Sequence, residues 1–550
     1  MSEELFFLKQ GFLNFRQKKV ATAKNAMVST QHPSVTMAML EVLRDGGNAV
    51  DATITGSLLQ GVLEPHQTSH VGSLDFMYYE ASEKKIHYMN AAAEFPDGLS
   101  PFIPNPYSNR AGSIGGSAHG WREIYKKFGT KNWSYYVQPA IKAAELGQIM
   151  TSFEYGCLYE HRDINTYFSS GREFYYPNGF LVPVGQRWKK PKLAETLRCL
   201  AKEGQEYFIT GDWAKHYVEI ANDMGWNISL ENIKAYKTRW VDPIKFTYKD
   251  NKIIGNPPPS PGGLLTAYIL GVLENFDLRS MGHYTQSAET LFTIAWMFKR
   301  AIMEQSELNR DPFNYKIPEN VFLSKDYQRF VAEIIRESKP KIDLTKDLQL
   351  KYNKANIGSY RLKYSKDNGD SCHNIVVDTE GNWVTCMHNS HGGGIPGLIV
   401  DGVKLEGMKN DAVCAGPGRR HRSAICPIMI LNDCEEPWMA LGTPSIDGLS
   451  MSIVLANILE FNMDPYSAID AARFLALKQE VKKGLIYTLE IEDRISEDII
   501  ADLAKLGVNV KLLEPYRWNM GSFQIVWKDK KSGLLKGVSD PRRLGYAEGF

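Results

Sequence analysis

No hydrophobic run in this chain approaches the ~20 apolar residues a bilayer-spanning helix needs, and the Met1-Ser2-Glu3-Glu4 start leads into no long apolar stretch of the secretory kind. Charge of either sign is not in excess: 64 Lys+Arg against 63 Asp+Glu leave a formal net charge of +1, so no overall field favours nucleic acid or an anionic membrane. Local basic pairs such as Lys18-Lys19 and Arg419-Arg420 read as solvated faces. Cysteine is sparse, with seven residues at 157, 199, 372, 386, 414, 426 and 434 and no Cys-x-x-Cys pair. An odd, scattered set argues against a disulfide framework and a zinc ribbon. Repeats, a Walker motif and a strand-following Gly-x-Gly-x-x-Gly are also absent. The expectation is a reduced, cytoplasmic, soluble protein with neither nucleic-acid nor membrane partners. Leu5-Phe6-Phe7 to Phe12-Leu13 reads as a small amphipathic arm packed on the body.

What remains is an ordinary globular composition, 43% hydrophobic and 23% charged, on 550 residues, a length that allows two to four domains. Residues 34–63 carry apolar side chains at helical spacing, broken by Arg44-Asp45-Gly46-Gly47-Asn48-Ala49-Val50-Asp51-Ala52. The glycine pair ends one helix in a left-handed cap, and Asn48 or Asp51 opens the next. A turn-rich segment, Pro65 to Ser73, feeds strands at Phe76–Tyr79 and Ile86–Met89. His66 and His70 stand four apart, but Gln67 fills the place of the zincin glutamate and the segment is not helical, so no metal is expected. Helical periodicity returns over 115–155, in mixed form over 160–250 with a strand near Ile244–Tyr248, and at Leu264–Leu273 and Ala288–Glu307. Asn256-Pro257-Pro258-Pro259-Ser260-Pro261-Gly262-Gly263 breaks every regular element before the helix at 264. Residues 339–370 read as an exposed linker. After residue 420 come strands Ile425–Leu431 and Pro437–Leu441, a helix Met451–Leu459, and a last strand pair near Phe523–Trp527 and Gly537–Val538.

The chain is organised around Gly369-Asp370-Ser371-Cys372-His373-Asn374-Ile375-Val376-Val377-Asp378. The apolar run after Ser371 meets a turn, Thr379-Glu380-Gly381-Asn382, and a second run, Trp383 to Met387, the pattern of a β-hairpin. Pairing about Glu380-Gly381 sets Asn389 and Ser390 opposite Ser371. Alone, a serine at a strand end is more often a satisfied turn residue than a nucleophile.

Five pieces in order carry more: Gly46 to Ala52, Pro257 to Gly263, His373 to Asn382, Gly442-Thr443-Pro444, and Ser539-Asp540-Pro541-Arg542. Together they resemble the γ-glutamyltranspeptidase family of N-terminal-nucleophile hydrolases over residues 25–550. The resemblance implies an α/β fold, a four-layer αββα sandwich, and a precursor that cuts itself just before the nucleophile. It places the nucleophile on Ser371, where the family has the first residue of a Thr-Thr-His run, and the scissile bond at Asp370–Ser371. That bond divides a large-subunit-like region, 1–370, from a small-subunit-like region, 371–550. A freed α-amino group, with an ordinary pKa of about 7.7–8.0, can serve as base for its own hydroxyl. Strand alternation points Cys372, the rival nucleophile, to the opposite face.

The departures from the family pattern bear on the substrate. The family's second hydroxyl falls on Asn389 and a nearby asparagine on His391. The acidic clamp falls on Asn410-Asp411, one of two serines persists as Ser423 beside Ala424, and the oxyanion Gly-Gly is Ser445-Ile446, whose backbone amides can still donate. The stretch Asn90 to Pro96 lacks the arginine that grips the substrate carboxylate, the strongest anchor available to such a group. The expected activity is therefore hydrolysis or acyl transfer at an amide or related acyl bond of a small molecule other than a standard γ-glutamyl compound, with no cofactor. A C–C bond hydrolase and an uncleaved, inactive binding protein are the alternatives. The resemblance is compatible with a homodimer or a dimer of processed heterodimers.

Overall fold

Two seven-stranded antiparallel sheets lie face to face in the computed structural model, which describes residues 18–96, 110–308, 310–338, 371–390, 397–409, 418–420, 425–444, 447–480 and 486–550. The first sheet runs, in spatial order, Tyr546–Gly549, Met27–Thr30, Cys372–Val377, Trp383–Asn389, Ser73–Glu80, Lys85–Ala91 and Arg239–Trp240. The second runs Ala21–Ala23, Leu535–Ser539, Gln524–Lys528, Pro437–Pro444, Ile425–Leu431, Asn251–Gly255 and Ile244–Tyr248. Side chains alternate across each strand, so Met27, Met77, Ile375, Val377 and Trp383 of the first sheet meet Ile254, Met429, Ala440 and Val526 of the second in one buried cluster. The outer face of the first sheet packs on helices that include Pro33–Arg44, Ala49–Leu63 and Trp133–Leu146. That of the second packs on Gly262–Leu273, Ala288–Leu308 and Asp447–Leu459. The result is the expected αββα sandwich. Both sheets take strands from before and after residue 371, so a cut at that point would leave the two pieces interleaved.

Ala49–Leu63 is buried on every side, which explains its lack of an amphipathic stripe. Its start is fixed locally. Gly46 takes a positive φ of 73° to end the preceding helix, and Asn48 and Asp51 close a reciprocal capping box. Asp51 also accepts from the Thr130 amide and hydroxyl and, at 2.6 Å, from the Tyr136 hydroxyl, so one carboxylate joins its own helix to Trp133–Leu146 and to the loop before it. The hairpin turn is built the same way. Gly381 has φ 83°, and Asp378 accepts from the amides of Glu380 and Asn382, each at 3.0 Å. The other oxygen of Asp378 takes the Asn382 side-chain amide and the Ala49 amide, both at 2.9 Å, tying the hairpin to the helix N-terminus.

Some elements are longer or more numerous than periodicity indicated. Met27–Thr30, Ala21–Ala23, Tyr546–Gly549 and Asn251–Gly255 are too short to show a pattern of two. Pro437–Pro444 runs on through Gly442, where a side chain would collide with the His373 imidazole from the facing sheet. The amphipathic arm at 5–13 and the 339–370 linker fall outside the described residues. No helix among the described residues is long and apolar enough to cross a membrane.

Asp378→Ala strips four hydrogen bonds at the junction of hairpin and helix, three of them from buried Ala49 and Asn382 donors. Denaturant unfolding should show a loss of about 3 kcal/mol, and a midpoint shift worth less than about 1 kcal/mol would contradict the role given to this carboxylate.

Candidate functional site

Ser371 immediately precedes the strand Cys372–Val377, whose register with the next strand begins at Cys372 opposite His388. One step further, Ser371 faces Asn389, and the Asn389 side-chain amide donates to Ser371 Oγ at 3.1 Å. Both residues are buried. The opposition expected from the hairpin is therefore present as a hydrogen bond. Alternation puts Cys372 on the other face, where its Sγ lies 3.6 Å from Glu64 Oε2 in the helical layer. His373 returns to the inter-sheet face but is turned to Thr385 Oγ1 at 2.7 Å. Burial holds His373 and His388 down to about 3, so both are neutral imidazoles.

Behind the strand runs a relay of buried polar groups. Thr68 Oγ1 meets His388 Nδ1 at 2.7 Å, His388 Nε2 meets Gln60 Oε1 at 2.8 Å, and Gln60 Nε2 donates to Glu64 Oε2 at 2.9 Å. Because the Gln60 oxygen accepts, the His388 proton sits on Nε2 and Nδ1 takes the Thr68 hydroxyl. Glu64 caps the buried helix Ala49–Leu63, and burial pushes its carboxyl up to about 7.

Arg543 approaches from the C-terminal segment. Its Nη1 donates to the Ser371 carbonyl at 3.3 Å, to Gln67 Oε1 at 2.8 Å and to Gln31 Oε1 at 3.4 Å, while Nε reaches the Trp518 carbonyl at 3.3 Å. The motif before it is an anchor. Arg542 pairs with Glu492 at 2.5 and 2.7 Å and with Asp540 at 3.3 Å, and Arg473 also pairs with Asp540. Against the cost of burial, Arg473 and Arg542 hold the Asp540 carboxyl below its ordinary range. The Asp-Pro-Arg piece thus fixes the backbone that delivers Arg543 to Ser371.

A second buried network fills the same inter-sheet layer. Asp75 accepts from Tyr88 OH at 2.7 Å and Asn90 Nδ2 at 2.8 Å, and burial pushes its carboxyl up to about 6. The stretch after Asn90 has no arginine of its own, yet a guanidinium lies against it. Arg420 Nη1 donates to the Asn90 carbonyl at 2.8 Å and to its side-chain oxygen at 2.9 Å, and Nε lies 3.6 Å from Glu94. Arg420 is 1% exposed, so the solvated-face reading of Arg419-Arg420 is wrong for this residue. It is buried because Glu94, Asn90 and the Tyr236 ring, 4.9 Å away, compensate its charge.

Asp370, His391, Asn410, Asp411, Ser423, Ser445 and Ile446 lie outside the described residues. His66 and His70 do not converge on a common ligand position: His70 Nε2 meets the Leu58 carbonyl at 3.0 Å, and the His66 ring packs edge-on to Phe153. Among the described residues, Glu80, Glu83 and His87 bring three ligand-type atoms within 4.8 Å, at the end of the strand Ser73–Glu80 remote from Ser371. Glu80 already pairs with His87 at 2.9 Å. Sequence reasoning did not single out Arg543, Glu64 or Arg420. For Arg543 a signal existed, a second arginine directly after Asp540-Pro541-Arg542. Glu64 and Arg420 depend on contacts spanning some 300 residues.

A nucleophile-class hydroxyl at the head of an inner strand, in an αββα sandwich, defines a hydrolase or acyltransferase of the N-terminal-nucleophile class. Residues 36–550 match the family Gamma-glutamyltranspeptidase, and the chain belongs to that family. Among curated relatives, the "Glutathione hydrolase proenzyme" of Bacillus subtilis (strain 168) is 25% identical, over 97% of this chain and 93% of that protein. The "Acylase ACY 1 proenzyme" of Pseudomonas sp. (strain SE83) is also 25% identical, over 90% of this chain and 88% of its own length. The crystal structure of a cephalosporin acylase from Bacillus halodurans shares the fold, with a TM-score of 0.80, 22% identity, and coverage of 97% of this chain and 98% of that one. The chain is accordingly a γ-glutamyltranspeptidase-like hydrolase acting on amide bonds.

The buried Glu64 carboxyl makes stability pH-dependent with a definite sign. Its ordinary value is 4.5 and its folded value about 7, so folding takes up a proton between these limits and this group costs stability as pH rises through them. The full cost above pH 7 is at most about 3 kcal/mol. Glu64→Gln removes it, so the variant should be more stable than the natural chain at pH 8 and close to it at pH 5. Thermal or urea unfolding at the two pH values would contradict this if the gap at pH 8 were no larger.

Proposed function

We propose that Ser371 is the nucleophile, exposed as a new N-terminus by cleavage of Asp370–Ser371 within the chain's own active site. The observation that supports this reading is the hydrogen bond from Asn389 to Ser371 Oγ, which orients a buried hydroxyl at the head of the inner strand. In the precursor, Oγ attacks the Asp370 carbonyl and its proton passes to the departing Ser371 nitrogen. The acyl group moves from nitrogen to oxygen, and water then hydrolyses the ester, leaving a carboxyl on Asp370 and a free α-amine on Ser371. In turnover that amine takes the Oγ proton as Oγ attacks the substrate carbonyl. It gives the proton to the leaving nitrogen as the tetrahedral intermediate collapses to an acyl-enzyme. Water, activated by the same amine, releases the acid. The backbone amides of Ser445 and Ile446 supply the oxyanion donors, and His391, Asn410, Asp411 and Ser423 contact the substrate.

The substrate is a small amide other than a γ-glutamyl amino acid. Asn90 and Glu94 engage the Arg420 guanidinium, so it offers little to an incoming carboxylate. That one relative is named an acylase and another a glutathione hydrolase supports amide cleavage with headgroups that vary within the family.

A denaturing gel of the purified protein should give two bands of about 40 and 20 kDa by residue count, while Ser371→Ala should run as one band and hydrolyse no anilide. Ser371→Thr should keep both properties. Full anilide hydrolysis by Ser371→Ala would sink the proposal, and turnover of β-diketones in place of amides would move the enzyme to C–C bond cleavage.

A further inference from the structure

The geometry points to a transition-metal site at the turn of the hairpin formed by Ser73–Glu80 and Lys85–Ala91: Glu80, Glu83 and His87 each offer one ligand atom to a single divalent cation, of which zinc fits best. The turn lies at the end of the strand remote from Ser371, so this site stands apart from the reading of that serine.

The ladder brings the three residues together locally. Tyr78 pairs with His87 and Glu80 with Lys85, so Glu80 and His87 are diagonal neighbours on one face of the hairpin. Lys84 takes a left-handed φ of 50° as the turn closes, and Glu83, one residue earlier, sets its carboxylate beside the other two groups. The Ala81 amide donates to Asn382 Oδ1 at 2.9 Å, which ties this turn to the neighbouring hairpin. One oxygen from each glutamate and one ring nitrogen of His87 all lie within 4.8 Å of one another, and His87 Nε2 stands 2.9 Å from Glu80 Oε2. Ligands about 2.1 Å from a tetrahedral zinc stand about 3.4 Å apart, so a small rotation of the exposed Glu83 side chain closes the set, with water in the fourth position.

Two carboxylates on a turn are by themselves a solvated acidic surface. The third group is what makes a chelating set. His87 is 8% exposed, and its ring is held by stacking on Tyr78 at 5.9 Å and by the edge of Phe128 at 5.2 Å, so the imidazole is already aimed at the carboxylates. Burial lowers its pKa below the ordinary imidazole range, which leaves a nitrogen lone pair available at neutral pH, as ligation requires. In the bound form the imidazole keeps its proton on Nδ1, and the cation takes the place of the Nε2–Glu80 hydrogen bond. An imidazole among carboxylates selects zinc and its neighbours in the first transition row over calcium and magnesium, which take oxygen ligands. Of the lysines around the turn, Lys84 pairs with Glu436 at 3.0 Å, Lys127 lies over the Trp240 ring at 4.4 Å, and Lys85 is exposed. Bound there, the cation cross-links the turn to the strand residue that packs on the helix Ser117–Phe128.

The test is calorimetric titration of the untagged, chelator-treated full chain with zinc chloride at neutral pH, in a Cys434→Ser background because that exposed thiol is a competing soft ligand near Lys84. One zinc per chain should bind with a Kd of about 0.1 mM or tighter, and calcium or magnesium at the same concentration should not compete. Glu83→Gln, an exposed change that conserves shape, should weaken binding about tenfold or more, Glu80→Gln should do the same, and His87→Gln should abolish it. Binding weaker than about 0.1 mM would overturn the site. So would a zinc affinity that neither Glu80→Gln nor Glu83→Gln changes, which places the ion elsewhere on the chain, and so would calcium binding as tight as zinc, which reduces the turn to an acidic surface. If His87→Gln does not fold, the two glutamate variants decide.

Discussion

The register between Cys372–Val377 and Trp383–Asn389 governs the rest of the site. Side chains alternate with a period of two, so a slip of one residue would carry Ser371, His373 and Ile375 to the helical face and bring Cys372 and Asn374 inward. Asp378 and Gly381 fix that register at the turn, and Asp378 binds it to the helix Ala49–Leu63. Strands on both flanks, Met27–Thr30 and Ser73–Glu80, lock it further through full antiparallel ladders. The Ser371–Asn389 hydrogen bond is the end point of this chain of constraints.

Electrostatics around that point is organised by burial rather than by surface charge. Glu64, Asp75 and Glu154 are raised toward neutrality, four histidines are kept uncharged, and ions that remain charged, such as Arg542, Arg473 and Arg420, have carboxylates or dipoles packed on them. Among the described residues, the histidines near Ser371 are held neutral by burial, so none of them forms a charged imidazole–carboxylate pair. In the proposed mechanism the base comes from close by: the Ser371 amine is the group whose position follows from the backbone alone.

Much of this was legible in the amino-acid sequence because it is local. The Gly46 cap, the Asn48 opening of the next helix, the Gly381 turn and the opposition of Ser371 to Asn389 each follow from a few neighbouring residues. The αββα class followed from the order of motifs. Strands of three to five residues such as Ala21–Ala23 were not legible, since they carry too few alternations. Neither was the burial of Arg420 and Glu64. A basic pair in sequence looks solvated until Asn90 and Glu94, some 330 residues away, close around Arg420, and a carboxyl at the end of an apolar helix gives no sign that it will sit behind the strand that follows Ser371.

The account depends on which atom becomes acylated. Exposing the purified protein to an excess of p-nitrophenyl acetate, quenching in acid and mapping the adduct by peptide mass spectrometry tests this directly. The account predicts one acetyl group on the hydroxyl of Ser371, at the N-terminus of the smaller chain, and none on Ser371→Ala. An adduct on Cys372, with Ser371 unmodified, would contradict it.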